Sequence, residues 1–181
     1  EEQQKLKAEG KFPAGQVPCM ETPDGRMWNQ SNAILHFLGA KHGLYGSDAD
    51  LETRYWADWA IETHNDLWGN GYYQAFFADD MNEELHKKTV EKAATFIHAL
   101  QKRLSHNGDK HYFGGDHMTI GDIKVFSTLH SIAFNDGAKH PKIAEEIRDV
   151  DGVTHVAQVR ETFGDAYVAA VDPELPRCQI E

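Results

Sequence analysis

The stretch Gly15-Gln16-Val17-Pro18, with Gln30-Ser31-Asn32-Ala33-Ile34 beginning twelve residues after the proline, decides how this chain is read. Val17-Pro18 stands at the mouth of a short apolar run that suits a strand as far as Glu21. Pro23-Asp24-Gly25 supplies turn chemistry, and Arg26-Met27-Trp28 returns as the second strand of a hairpin. Ser31 is placed as the N-cap of the next helix. There Ala33, Ile34, Phe37 and Leu38 recur at helical spacing, and Gly43 closes the helix. Before proline a cis peptide bond costs little, and a helix N-terminus favours anions. Together the two mouths describe a place where backbone atoms and a helix end hold a small peptide-like anion.

Outward from that hairpin the chain is helical. Residues 1–14 read as a short polar helix broken at Gly10 and Pro13. Leu44 to Ser47 form a linker. Residues 49–77 carry Leu51, Tyr55, Trp59, Ile61 and Leu67 as an apolar stripe, with Gly69 and Gly71 kinking or ending the helix. Residues 82–105 form a second long helix, with Leu85, Val90, Ala93, Ala94, Ile97 and Leu100 inward. Thr119-Ile120-Gly121-Asp122 opens a third as a variant capping box. Shorter helices are expected over Pro141–Arg148 and Val153–Phe163, followed by an extended tail. The expected fold is thus a small strand–strand–helix unit over residues 1–45 and an all-helical domain over 46–181.

Bulk properties narrow the function classes. Of 181 residues, 40% are hydrophobic and 26% charged, and the formal charge is −11. That balance argues against non-specific nucleic-acid binding and against an anionic membrane surface. No apolar run approaches the ~18 residues that span a bilayer. Cys19 and Cys178 make no disulfide framework, which favours the cytoplasm. Cys19 is expected to be buried and inert. Of the eleven histidines, His106, His111 and His117 gather near Asp109 and Asp116, but their spacing matches no zinc pattern and reads as a solvated loop.

These residues resemble the cytosolic glutathione transferase family. The resemblance rests on Gly15-Gln16-Val17-Pro18, Gln30-Ser31-Asn32-Ala33-Ile34, the linker Gly43-Leu44-Tyr45-Gly46 and the box Thr119-Ile120-Gly121-Asp122. Thr63-His64-Asn65-Asp66 is similar to the sigma branch, with alpha and mu types as near relatives. It implies a thioredoxin-like N-terminal domain, present in part, followed by the helical glutathione transferase C-terminal domain, usually in a homodimer. It also implies glutathione as co-substrate, no metal, and a small apolar electrophile as second substrate. By the same resemblance Val17-Pro18 is cis and Val17 pairs with the cysteinyl part of glutathione like an added strand. Gln16 and Pro18 frame that contact. Gln30 and Ser31 hold the γ-glutamyl end, Lys7 the glycyl carboxylate, and Asp66 reaches the neighbouring subunit's glutathione.

In this family a Tyr, or in other branches a Ser or Cys, at the end of the first strand stabilises the thiolate. The resemblance starts after that strand, so the donor is expected to lie before residue 1. None of Tyr45, Tyr55, Tyr72, Tyr73, Tyr112 or Tyr167 matches its position. The strand at Val17–Glu21 would then have an open edge unless a further unit or a partner covers it. Each motif also has a plain structural reading: Val17-Pro18 as a turn, Ser31 as a cap, Asp66 as a solvated face. Two other functions stay open. One is a non-catalytic scaffold or accessory subunit of a larger assembly. The other is an apolar-ligand carrier using the aromatic stretch Trp68–Phe77.

Overall fold

The computed structural model describes residues 2–12, 15–48, 50–108, 110–134 and 138–151. The expected helix Val153–Phe163, the tail with Cys178, and Pro13 lie outside the described residues. Helix α1 (Glu2–Ala8) leads into strands β1 (Cys19–Glu21) and β2 (Met27–Asn29), which pair antiparallel with Cys19 opposite Asn29 and Glu21 opposite Met27. Thr22 and Arg26 close the turn, the Thr22 N–H donating to the Arg26 carbonyl at 2.9 Å. The strands are shorter than the sequence suggests, since β1 starts only after Pro18, which has no N–H to give a ladder.

Helix α2 (Ser31–Lys41) ends in a Schellman turn. Gly43 takes φ 72°, and the Leu44 N–H donates to the Gly39 carbonyl at 2.7 Å. At the other end the structure corrects the expected cap. Ser31 is the first helical residue, and the N-cap position is Gln30, at φ 71° and with no side-chain cap. A left-handed turn at Gln30 redirects the chain from β2 into α2 and leaves Ser31 inside the first turn.

The helical part comprises α3 (Leu51–Leu67), a π-helical turn Trp68–Tyr72, α4 (Tyr73–Phe77), α5 (Glu83–Ser105), α6 (Ile120–Leu129), a second π-helical turn His130–Phe134, and α7 (Pro141–Arg148). The glycines near residue 70 therefore widen the helix instead of ending it. The stripe expected on α3 is partly wrong. Leu51 and Tyr55 are exposed, while Ala57, Ala60, Ile61, His64 and Leu67 are buried. On α5 the buried residues are Thr89, Ala93, Phe96, Ile97 and Leu100; Leu85, Val90 and Ala94 are only partly covered. The Thr89 hydroxyl is buried at low cost because it donates to the Leu85 carbonyl at 2.8 Å.

Helix α6 is the axis of the core. A Cβ on Gly121 would lie 2.7 Å from the Ala57 carbonyl oxygen and 2.9 Å from Ala57 Cα, so α3 and α6 touch through backbone. Asp122 is fully buried. Its carboxylate accepts from the Thr119 N–H at 2.8 Å, the Thr119 hydroxyl at 2.7 Å and the Phe113 N–H at 3.0 Å. The capping box thus forms as expected and also pins the preceding loop. Arg103 reaches that loop from α5, donating twice to the Phe113 carbonyl while lying 3.4 Å over the Trp56 ring.

Candidate functional site

The hairpin register brings most of the sequence-derived site residues to one rim. With Cys19 opposite Asn29, the segments Gln16-Val17-Pro18 and Gln30-Ser31 leave the same end of the sheet. The Val17-Pro18 bond is cis, and Val17 is 54% exposed. Gln16, Pro18, Gln30 and Ser31 are exposed as well. Lys7 belongs to this rim: a Cβ on Gly15, which sits at φ 64°, would lie 3.3 Å from Lys7 Cε and 4.0 Å from Lys7 Nζ. Cys19 is half-buried, not buried as expected, and its thiol donates to the Gln16 carbonyl at 3.1 Å.

The α2 N-terminus carries no side-chain cap and no acidic residue in its first turn. Its leading N–H groups and the positive end of its dipole stay available to an external anion. Two polar contacts fix this end. Asn32 Nδ2 donates to Asn65 Oδ1 on α3 at 3.4 Å, and His36 bridges the Asn32 carbonyl (2.6 Å) and the Asp58 carboxylate (2.7 Å). Asp58 also accepts the Tyr45 hydroxyl at 2.8 and 2.9 Å. Burial, and then that carboxylate, push the Tyr45 phenol up to about 12. A phenol so held is a poor stabiliser of a thiolate.

Asp66 is the site residue that the fold does not bring to the rim. It is exposed and lines a cleft of about 340 Å³ between α3 and α5, with Thr63, Asn70, Lys92 and Phe96. Its neighbour Asn65 makes the contact to α2. A roomier cleft of about 590 Å³ lies elsewhere, between the linker Gly43–Ser47 and the loop at Asn107–Thr119. None of the rim residues lines it, and its Lys110 and Asp116 are already paired at 3.2 Å.

Sequence reasoning passed over His36 and Asp58, and gave Asn65 no role of its own. His36 sits inside the apolar run of α2, and only its four-residue spacing from Asn32 hinted at a helix-side contact. In the aromatic stretch, Tyr72 is core and Trp56, Trp59, Trp68 and Phe76 pack against the core. Tyr73 and Phe77 remain about half exposed, their rings 4.8 Å apart. His106, His111 and His117 are exposed, and among the described residues no three His, Cys, Asp or Glu groups gather as metal ligands. No helix of the described residues is long and apolar enough to cross a membrane.

Residues 65–162, more than half of the chain, match the family model for the glutathione S-transferase C-terminal domain. The chain belongs to that family. A glutathione S-transferase of Gallus gallus is 29% identical over 133 residues, covering 73% of this chain and 58% of the relative. The chain thus spans less than two thirds of that relative's length. Elongation factor 1-gamma of Drosophila melanogaster is 27% identical over 120 residues, covering 66% of this chain and 27% of its own. Among solved structures, monomeric Na-GST-3, a glutathione S-transferase of Necator americanus, superposes with a TM-score of 0.72 at 23% identity, covering 96% of this chain and 82% of its own. The partial thioredoxin-like unit and the helical glutathione transferase domain expected from the sequence are both present in the fold.

Proposed function

We propose that this chain binds glutathione and serves a sigma-like glutathione transferase, in which glutathione thiolate attacks a small, largely apolar electrophile. Isomerisation or peroxide reduction through the same thiolate belongs to this reading. The observation that carries it is the uncapped, acid-free N-terminus of α2 at the same end of the hairpin as the exposed Val17. Ser31 and Gln30 receive the γ-glutamyl end, where the helix dipole favours its carboxylate. Val17, framed by Gln16 and Pro18, pairs with the cysteinyl backbone, and Lys7 takes the glycyl carboxylate. Asp66, turned away from its own rim, contacts the γ-glutamyl ammonium of a partner subunit in a homodimer. Residues 1–45 form the glutathione-binding unit and 46–181 the helical domain, in a cytoplasmic protein that needs no metal. The group that lowers the thiol pKa is assigned to no residue of this chain.

Calorimetric titration with glutathione tests the reading. Ser31→Ala is expected to weaken binding about tenfold or more while the helical circular dichroism stays unchanged; unaltered affinity would overturn the assignment. A second reading is a non-catalytic accessory subunit. It is favoured by the elongation factor 1-gamma match, since likeness of this kind is not confined to proteins named as transferases. Glutathione binding without turnover of a general electrophile by the full-length protein would select it.

A further inference from the structure

His36 makes two contacts that a neutral imidazole cannot make together. Its Nδ1 lies 2.6 Å from the Asn32 carbonyl oxygen, and its Nε2 lies 2.7 Å from Asp58 Oδ1. Both are hydrogen-bond distances, so each needs a proton between the two atoms. A main-chain carbonyl can only accept. The Asp58 oxygens accept as well, since both take the Tyr45 hydroxyl, at 2.9 Å to Oδ1 and 2.8 Å to Oδ2. Burial, and then that carboxylate, push the Tyr45 phenol up to about 12, which keeps it a donor. A neutral imidazole has one N–H; only the imidazolium donates from both nitrogens.

Asp58 of α3 is the charge that touches the ring. The Tyr45 ring stands edge-on to the imidazole at 4.9 Å. The Arg54 guanidinium lies 5.4 Å over the Tyr45 ring and pairs with Asp48 at 2.8 Å. Strand β2 meets α2 through Trp28 on Phe37, and α6 meets it through Ile120 on Gly39. On α2 itself the other charged side chain, Lys41, lies in the last turn.

We propose that His36 is an imidazolium clasp joining the first turn of α2 to Asp58 of α3, and that loss of its second proton as pH rises undocks that turn. With one proton left, the ring keeps the stronger bond, to the charged carboxylate. Its bare Nδ1 then faces the Asn32 carbonyl lone pair to lone pair and releases it. Asp58 and Tyr45 are thus positioning residues for the start of α2. The consequence for ligand binding rests on the glutathione reading above: affinity falls with the same proton, because the leading N–H groups of α2 lose their fixed place.

Hydrogen exchange of the full-length protein between about pH 5.5 and 8.5 tests the clasp, since histidine changes charge in this range. The amides read are those of the first turn of α2, among them Ile34, which donates to the Gln30 carbonyl at 3.0 Å. Their protection is taken relative to α5, so that global stability cancels. In the wild type it is expected to fall about fivefold as pH rises. Asp58→Asn is the discriminating variant. Its side-chain oxygen still accepts from Tyr45, and its nitrogen donates to a bare His36 Nε2, so a neutral ring keeps both contacts. Its relative protection is expected to stay level. The same profile in the wild type and Asp58→Asn, or a decline that persists in His36→Gln, overturns the proposal. Calorimetry with S-methylglutathione, which has no thiol to titrate, follows the ligand. Its affinity should fall about fivefold in the wild type over the same range and stay level in Asp58→Asn. If S-methylglutathione binds at no pH, the glutathione reading fails, and the exchange profiles still decide the clasp.

Discussion

At the scale of single residues, burial of a titratable group makes the sharpest statement. His64 is 6% exposed, and burial, reinforced by Lys124, lowers its pKa from the ordinary 6.5 to about 4. The unfolded chain therefore takes up a proton near pH 6.5 that the folded chain refuses until about pH 4. Stability from this group is full above pH 6.5 and falls as pH drops toward 4, by about 3 kcal/mol in total. Urea unfolding of the wild type and of His64→Leu across that range should show the wild type losing ground steadily as pH falls. A constant difference between the two would contradict it. Asp122 is the second such residue. Its removal strands the Phe113 and Thr119 N–H groups in the core, so Asp122→Ala is expected to cost about 3 kcal/mol in urea unfolding at neutral pH. A cost below about 1 kcal/mol would mean that water or a neighbour replaces the carboxylate.

At the scale of elements, two contacts fix the geometry of the site. The α3–α6 contact runs through backbone at Gly121, so Gly121→Ala must push the helices apart. The expected cost is about 1–3 kcal/mol despite alanine's better helix propensity. A variant as stable as wild type in thermal unfolding would show that the helices separate freely. The second contact is the His36 bridge between the Asn32 carbonyl and Asp58. It holds the first turn of α2, so on the proposed glutathione reading His36→Ala in the full-length protein is expected to raise the KM for glutathione several-fold and leave kcat nearly unchanged. A fall in kcat alone would place His36 elsewhere in the chemistry. How much was legible in the sequence follows from the same elements. The hairpin turn, the Gly43 stop and the Thr119–Asp122 box are local, and short-range chemistry wrote them plainly. The exposed Leu51 and Tyr55 were misread because periodicity reports an apolar face without saying which neighbour covers it. The π-helical turn at Trp68 and the His36–Asp58 bridge depend on helices distant in sequence, which no local pattern records. The N-cap moved from Ser31 to Gln30 because the sharp exit from β2 outweighed the side-chain preference of serine.

For the whole molecule, the central question is whether the unit proposed to bind glutathione stands without the helical domain. A two-stranded hairpin with one helix is marginal in isolation. Here it is held by a small apolar cluster, Leu35, Leu44 and Tyr45 packed against Ala57, Ile61 and Ile120, together with the Asn32–Asn65 and His36–Asp58 links. Gly39 is the tightest point of that seam, because Ile120 Cγ2 occupies the space a Cβ would need. Gly39→Val should therefore undock residues 17–41 and leave α3, α5 and α6 folded. Ala40→Val, one residue along and exposed, puts the same β-branched side chain into α2 without the clash; it alone carries a helix-propensity cost, since valine is a better helix former than glycine, and is therefore a strict control. Hydrogen exchange is the direct measurement. In the Gly39 variant the amides of β1, β2 and α2 are expected to exchange at least about tenfold faster than in the control, while those of α5 and α6 keep their protection. Trypsin should cut at Lys41, and glutathione affinity should fall with the same variant, because the α2 N-terminus loses its fixed place beside α3. Uniform loss of protection across all helices would show instead that the chain unfolds as one unit, with the seam as part of a single core.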